Sequence, residues 1–482
     1  MNVLLASSEV HPYSKSGGLA DMVGALAKSL AKAGHQIGLV TPLYQGIAKQ
    51  YPALKKLDGG LDLPLGPNRI QGEIWTLNPL DGLTIDFVDQ PQFFDRPGLY
   101  QENGADYPDN PERFIFLSKS VVHIARHLAS QPDIVHVHDW QVGLVPVLIL
   151  HQRNTEGWGN APRTCLTVHN LAYQGNFSRA HYELTNLPFD YFNIEGVEFY
   201  GGINCLKAGI AYADAITTVS PRYAREITTE PFGCGLDGIL RRRQNVLVGI
   251  LNGVDYEEWK TVNNPHLRHS YDVHNLAGKT AEKLELQAEL GLPVDATIPL
   301  FGTVSRLVTQ KGVDILLGAL EEMLASNMQF VLLGSGFPPF ENAFQSLAAR
   351  FPTKVAVRIG FDEGLSHRVE AACDFYLMPS AFEPCGLNQM YSLCYGTIPI
   401  VRRTGGLDDS VIDPGDDVEE TNGIKFTEYT TRALAKAIRK ALVLYEEPDL
   451  LSHFRMNGMT ADFSWKRTTE EYVRVYRNIL EQ

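Results

Sequence analysis

Cysteine is scarce and scattered in this chain. Its 482 residues hold six, Cys165, Cys205, Cys234, Cys373, Cys385 and Cys394, with no CxxC spacing. A chain of this length can bury enough apolar surface to fold without staples, so the pattern fits a reduced compartment. Positive charge is also short: 42 Lys and Arg face 56 Asp and Glu, for a formal charge of −14. That deficit argues against a nucleic-acid partner or an anionic membrane surface, and any anionic ligand must find its cations locally. No apolar run approaches ~18 residues, so no membrane span is expected. The opening MNVLLASSEV has no basic segment before its short apolar run. It reads as a first strand, not a signal peptide, and the expected location is cytoplasmic.

What the chain does contain is alternation. Strand-like apolar runs fall at residues 3–6, 37–40, 134–137, 164–168 and 215–219, with helical spacing between, as at Leu19, Met22, Val23, Leu26 and Leu30. After an Asn-Gly turn in LNGVD the pattern restarts, with runs at 298–304, 330–333, 355–359, 375–378 and 397–401. Single cores rarely grow past roughly 250–300 residues. We therefore expect an α/β protein of two doubly wound, Rossmann-like domains, 1–250 and 251–460, and a helix in 461–482. Residues 91–110, rich in Tyr, Asp, Gly and Pro, read as a long functional loop.

Nearly the same seven residues occur twice. Lys15 to Asp21 reads KSGGLAD, and Arg403 to Asp409 reads RTGGLDD. Each follows a strand-like run and precedes a helix-like stretch. A Gly-Gly turn lets backbone approach a ligand closely, and a helix start offers unpaired N–H groups to an anion. The pair points to two domains addressing one phosphorylated ligand; the bland alternative is two ordinary strand-to-helix turns.

In open α/β sheets ligands sit beyond the carboxyl ends of the strands. The polar residues there are Ser8-Glu9, Lys15 to Gly18, His138-Asp139, His169-Asn170, Asn252, Arg306 with Lys311, Gly360-Phe361, Glu383 to Leu387, and Thr404 to Gly406. Arg306 and Lys311 would both reach one diphosphate if their loop curls, Arg as a fork and Lys as a point charge; otherwise they are surface cations. Lys15 is a third cation. Glu383, beside a Gly turn, can bond sugar hydroxyls or stabilise positive charge at an anomeric carbon, or merely cap a helix. Cys385 has no paired base and reads as packing or a backbone contact. His136 and His138 have the i, i+2 spacing of a strand-borne metal site but no third or fourth ligand in view. His169 is the better polar contact. No Asp-x-Asp offers a metal–diphosphate site, which favours fixed cations for the leaving group.

These strings, with GADYPDNPERF, VHVHDWQVGLVP, TVHNLAYQG, SRLVTQKG, EPCGLNQMYSLCYGTIPIVRRTGGLDDSV and DFSW, resemble the bacterial glycogen synthase and plant starch synthase family across almost the whole chain. The resemblance implies a GT-B architecture, two Rossmann-like domains facing across a cleft, with the last helix crossing back to the first. It implies retaining transfer of glucose from ADP-glucose to the non-reducing 4-hydroxyl of an α-1,4-glucan, on an acceptor-side first domain and a donor-side second. No metal and no pyridoxal phosphate is expected.

Carried over residue by residue, Lys15 and Gly18 would meet the donor's phosphate and sugar, with Asp21 nearby. Arg306 and Lys311 would bind the diphosphate, and Glu383 would serve the glucosyl centre. His169, Asp139 and Asn252 would position the sugar. Cys385, Gly386, Leu387, Asn388, Thr404 and Gly405 would hold the donor, chiefly through backbone. The catalytic set is Glu383, Lys15, Arg306, Lys311 and His169. Phe361 stands where the family often has a Tyr beside adenine, and Ser16 replaces the usual Thr. Tyr391 holds a place where wider GT-B relatives carry a second Glu, which argues against a two-carboxylate mechanism. The competing readings are a UDP-glucose-using synthase, a pyridoxal-phosphate glucan phosphorylase, a non-catalytic sugar-nucleotide binder and a metal hydrolase built on HVHD.

Overall fold

The computed structural model describes residues 1–127 and 130–481. It divides into two compact units: Met1–Val219 with Ala224–Ile250 and Trp465–Gln482, and Leu251–Ser464 with Ser220–Tyr223.

The first unit is built on one twisted sheet. Its strands run in the spatial order Leu247–Gly249, Ala215–Thr218, Arg163–Val168, Ile134–His138, Asn2–Ala6, Gln36–Pro42, Leu83–Asp89, Asn68–Leu80 and Lys55–Lys56. The first seven are parallel, and the last two, with Leu61–Leu65, form an antiparallel edge. Parallel strands covered on both faces should be apolar throughout, and Val3, Leu4, Leu5 and Ala6 are all buried. The helix Gly18–Lys32 buries Met22, Val23, Leu26 and Leu30. The helix Trp465–Leu480 packs against it and buries Thr468, Tyr472, Val475, Tyr476 and Ile479, a stripe at helical spacing. Two polar contacts lock that helix in place: His136 Nδ1 lies 2.7 Å from the Tyr476 hydroxyl, and Thr469 Oγ1 donates to Ser29 Oγ at 2.7 Å.

The second unit has six parallel strands in the order Val355–Ile359, Gln329–Gly334, Leu300–Val304, Phe375–Met378, Ile398–Arg402 and Ile424–Phe426. Counted along its own sequence this is 3-2-1-4-5-6, and the parallel strands of the first unit begin in the same 3-2-1-4 order. Each sheet thus reverses direction beside its first strand, the place where doubly wound folds bind ligands.

Two expectations change. Residues 91–110 are no free loop: they hold the short helix Pro91–Phe94 and a ladder of Gln101–Glu102 with Ala105–Asp106. The wholly buried Arg113 ties them down, donating to Phe93 O at 2.6 Å, Asn110 Oδ1 at 2.7 Å and Leu99 O at 2.9 Å. The second Gly-Gly copy opens only a six-residue helix, Gly405–Ser410, whereas the first opens fifteen residues.

Candidate active site

In the first unit the candidate residues lie beyond the first strand, its neighbour Ile134–His138 and the next strand, Arg163–Val168. Glu9 is buried and organises the loop that follows. Its Oε1 accepts from Ser16 Oγ and from the Tyr100 hydroxyl, each at 2.6 Å, and its Oε2 accepts from the Ser16 N–H. The hydroxyl at position 16 therefore holds the turn in place. Lys15, half-exposed, pairs with Asp21 at 2.8 Å. Around Gly17 and Gly18 a Cβ would meet nothing within 4 Å, so this turn presents open backbone.

Asp139 and His169 come together: the His169 N–H donates to Asp139 Oδ1 at 2.7 Å, and His169 Nε2 lies 3.1 Å from His138 Nδ1. Asp139 holds a left-handed backbone, φ 61°, fixed by its N–H bond to Thr167 O at 3.0 Å. Burial pushes its carboxyl up to about 7, against the opposing backbone donors of His169 and Asn170. Burial holds His169 down to about 3, so its imidazole is neutral. His136 spends both ring nitrogens inside the unit, on Tyr476 and on Thr167 Oγ1 at 2.6 Å, which removes it from any HVHD metal site.

The raised Asp139 gives a pH signature. In the unfolded chain this carboxyl ionises near the ordinary ~3.9, whereas the folded chain keeps its proton up to about 7. Between those values the folded state binds more protons, so stability falls as pH rises. Asp139→Asn keeps the Oδ1 acceptor without the charge. Its thermal midpoint should gain on wild type by a few degrees between pH 5 and pH 8; a difference that stays constant with pH would refute the burial of this charge.

In the second unit the candidates gather at the switch point. Lys311 Nζ lies 2.6 Å from Glu383 Oε2, which also accepts from Ser380 Oγ at 3.0 Å. The Glu383 side chain is 7% exposed and that of Lys311 20%, so the carboxylate is the deeper partner. The two loops are zipped together by the Ala381 N–H to Gln310 O at 2.8 Å. Gly312 makes the approach feasible: its φ is 70°, and a Cβ there would stand 2.0 Å from Pro379 O. Arg306 is exposed and its guanidinium has no partner among the described residues.

Asn252 is buried with Oδ1 unpartnered, and its backbone N–H reaches the Cys385 thiol. Burial pushes that thiol up to about 12, which excludes a thiolate at neutral pH. Asn388 spends its side-chain amide on Val304 O at 3.1 Å and the Tyr376 hydroxyl at 2.8 Å, leaving its backbone for other work. Gly386 sits at φ 72°, beside Leu387 at the start of the helix Asn388–Cys394. Phe361 is 83% exposed.

The second Gly-Gly turn differs from the first in kind. A Cβ on Gly405 would stand 1.9 Å from Glu383 O, and one on Gly406 would stand 2.1 Å from Cys385 O. Thr404 is fully buried. These glycines let the turn press against the Glu383 segment, and both are buried. Arg403 is held by Asp408, Asp413 and Asp416. The sequence reading missed the positioning roles of Glu9, Tyr100 and Arg113; Ser8-Glu9 at a strand end was the one signal available.

A twin doubly wound fold with cations and a buried carboxylate at its strand ends defines a GT-B glycosyltransferase. Residues 2–242 match the family described as "Starch synthase catalytic domain", and 287–458 match "Glycosyl transferases group 1". The chain is 46% identical over 481 residues to a glycogen synthase of Anaeromyxobacter sp. (strain Fw109-5), covering 99% of both. It is 45% identical over 487 residues to the glycogen synthase of Myxococcus xanthus, covering 100% of both. Among solved structures, the catalytic domain of starch synthase IV from Arabidopsis thaliana, bound to ADP and acarbose, superposes with a TM-score of 0.88 at 32% identity, covering 100% of this chain and 99% of that one. A sucrose-phosphate synthase of Thermosynechococcus elongatus shares the fold, with a TM-score of 0.61 at 17% identity and coverage of 100% and 99%. The chain belongs to the glycogen synthase and starch synthase family of glucan glucosyltransferases.

Proposed function

We propose that this chain transfers glucose from ADP-glucose to the non-reducing 4-hydroxyl of an α-1,4-glucan, with retention at the anomeric carbon. The observation that carries the assignment is the Lys311–Glu383 pair at the switch point of the second sheet, with Arg306 five residues earlier in the same connection and its guanidinium without a partner among the described residues. As the bond from the anomeric carbon to the phosphate oxygen breaks, negative charge collects on the departing diphosphate and positive charge on the sugar. Arg306 and Lys311 meet the first, with Lys15 as a third cation; Glu383, acceptor-only when ionised, serves the second. Lys311 also pairs with Glu383, and that attraction offsets part of the cost of burying the carboxylate.

His169, Asp139 and Asn252 position the sugar. The orphaned Oδ1 of Asn252 supports this, because a buried acceptor without a donor suits a ligand hydroxyl. Gly18 offers open backbone, with Asp21 steadying Lys15. Gly386, Leu387 and Asn388 offer backbone groups, Cys385, Thr404 and Gly405 shape the wall behind Glu383, and Phe361 stacks on the base. Residues 1–250 take the acceptor role, 251–460 the donor role, and 461–482 complete the first. The reaction needs no metal and no prosthetic group, and the setting is cytoplasmic. Among the described residues no helix is long and apolar enough to cross a membrane.

Nucleotide release with each donor tests the reading. ADP should appear from ADP-glucose only when a glycogen primer is present, at a rate at least tenfold above UDP release from UDP-glucose. Equal or faster release from UDP-glucose would move the donor assignment to the uridine nucleotide. Primer-independent binding without release would leave only a sugar-nucleotide binder.

A further inference from the structure

Four rings stack in a column inside the second unit. Tyr391 lies 3.6 Å from Trp259 with planes 6° apart, Trp259 lies 4.0 Å from His367 at 14°, and His367 lies 4.5 Å from His266 at 26°. Packing of a core column explains the stack. It does not explain what gathers at the histidine end. There the ligand atoms of His266, Glu363 and His367 all come within 4.8 Å of one another. Glu363 and His367 are four residues apart on the helix Glu363–Ala372, so they share a face. His266 Nδ1 lies 3.5 Å from where a Cβ on Gly364 would stand, which places its ring over the start of that helix.

The supports behind these groups have the form of a ligand shell. His367 Nδ1 lies 2.7 Å from the Tyr395 hydroxyl, which accepts from Asn264 Nδ2 at 3.0 Å. Asn264 Oδ1 in turn accepts the His266 N–H at 2.8 Å. One buried asparagine therefore fixes both the backbone at His266 and the hydroxyl that meets His367. His367 is 1% exposed, yet its Nε2 has no hydrogen-bond partner. A buried nitrogen left bare while its ring is held from the other side is the arrangement expected of a metal-binding imidazole.

We propose that His266, Glu363 and His367 bind one divalent cation of the zinc class, separate from the transfer reaction. Two imidazoles and a carboxylate suit Zn²⁺, with water in the fourth position. Tetrahedral ligands stand about 3.4 Å apart, so closing from 4.8 Å asks the exposed Glu363 side chain to rotate and the His266 ring to tip out of its stack on His367. The ion would clasp the start of the helix to the segment carrying Trp259 and His266.

The test uses the full chain stripped of metal with a chelator. Titration with Zn²⁺ by calorimetry should show one equivalent bound and a raised thermal midpoint. Co²⁺ should give the visible absorption of a tetrahedral site and quench Trp259, whose ring lies on His367. His266→Ala and Glu363→Gln should each weaken binding by at least tenfold and abolish the Co²⁺ band. Both variants should match wild type in far-ultraviolet circular dichroism without metal, because neither removes a ring from the Tyr391–Trp259–His367 core. The proposal is overturned if wild type binds no equivalent, or if both variants bind as wild type does. It is equally overturned if His127→Ala, at the separate His123–His127 pair, is the change that removes binding.

Discussion

If Arg306 meets the leaving diphosphate as proposed, Arg306→Ala should lower kcat by roughly 10²–10³, the cost of removing one fixed donor from a charge that develops in the transition state. Its thermal midpoint stays at the wild-type value, because the guanidinium has no protein partner to lose among the described residues. Arg306→Lys recovers part of the rate: the charge returns but the forked geometry does not. Lys311→Ala loses rate on a similar scale and stability besides, since Glu383 is then buried with only Ser380 beside it. Adding Glu383→Gln to that variant should restore the stability and leave the rate low. Steady-state ADP release and a thermal melt on the same preparations separate the two effects. Near-normal turnover in both alanine variants would sink the diphosphate assignment.

Gly405→Ala and Gly406→Ala each lower the thermal midpoint, while Gly17→Ala and Gly18→Ala do not. A methyl at 405 or 406 would overlap backbone oxygens of Glu383 or Cys385, and Gly405 also sits at φ 43°. Overpacking of this kind costs roughly 1–3 kcal/mol, and each kcal/mol moves the midpoint about 2–4 °C in a unit of this size. In the first copy a methyl meets open space, so Gly18→Ala should fold normally and raise the KM for the nucleotide sugar. Scanning calorimetry against donor saturation checks the contrast. Wild-type melting of Gly406→Ala would mean that the two turns are interchangeable after all.

The strands that carry the site were legible because each is a short apolar run ending at a polar pair, such as Ile134–His138 before Asp139. The antiparallel edge was not. Asn68–Leu80 is mostly half-exposed and polar, and Leu61–Leu65 contains Pro64, so neither shows a buried run. The KSGGL turn was visible as glycine chemistry, but its clamp was not: Tyr100 meets Glu9 from 91 residues away, and no local pattern records that. The likeness of the two Gly-Gly copies misled for a related reason. One follows the first strand of its sheet and the other the fifth in sequence, so the same letters solve different steric problems. The histidine end of the ring column was equally hidden, since His266 and His367 are joined only by the fold.

The helix Trp465–Leu480 has a consequence for how the chain is made. It belongs to the first unit, where Tyr476 closes over His136, yet it leaves the ribosome after all of Leu251–Ser464. Domains ordinarily fold in order of emergence. Here the earlier unit waits with one flank of its sheet bare while the later one is synthesised, so the unit that starts first finishes last. Chains stalled before Trp465 should expose that flank to chaperones and proteases.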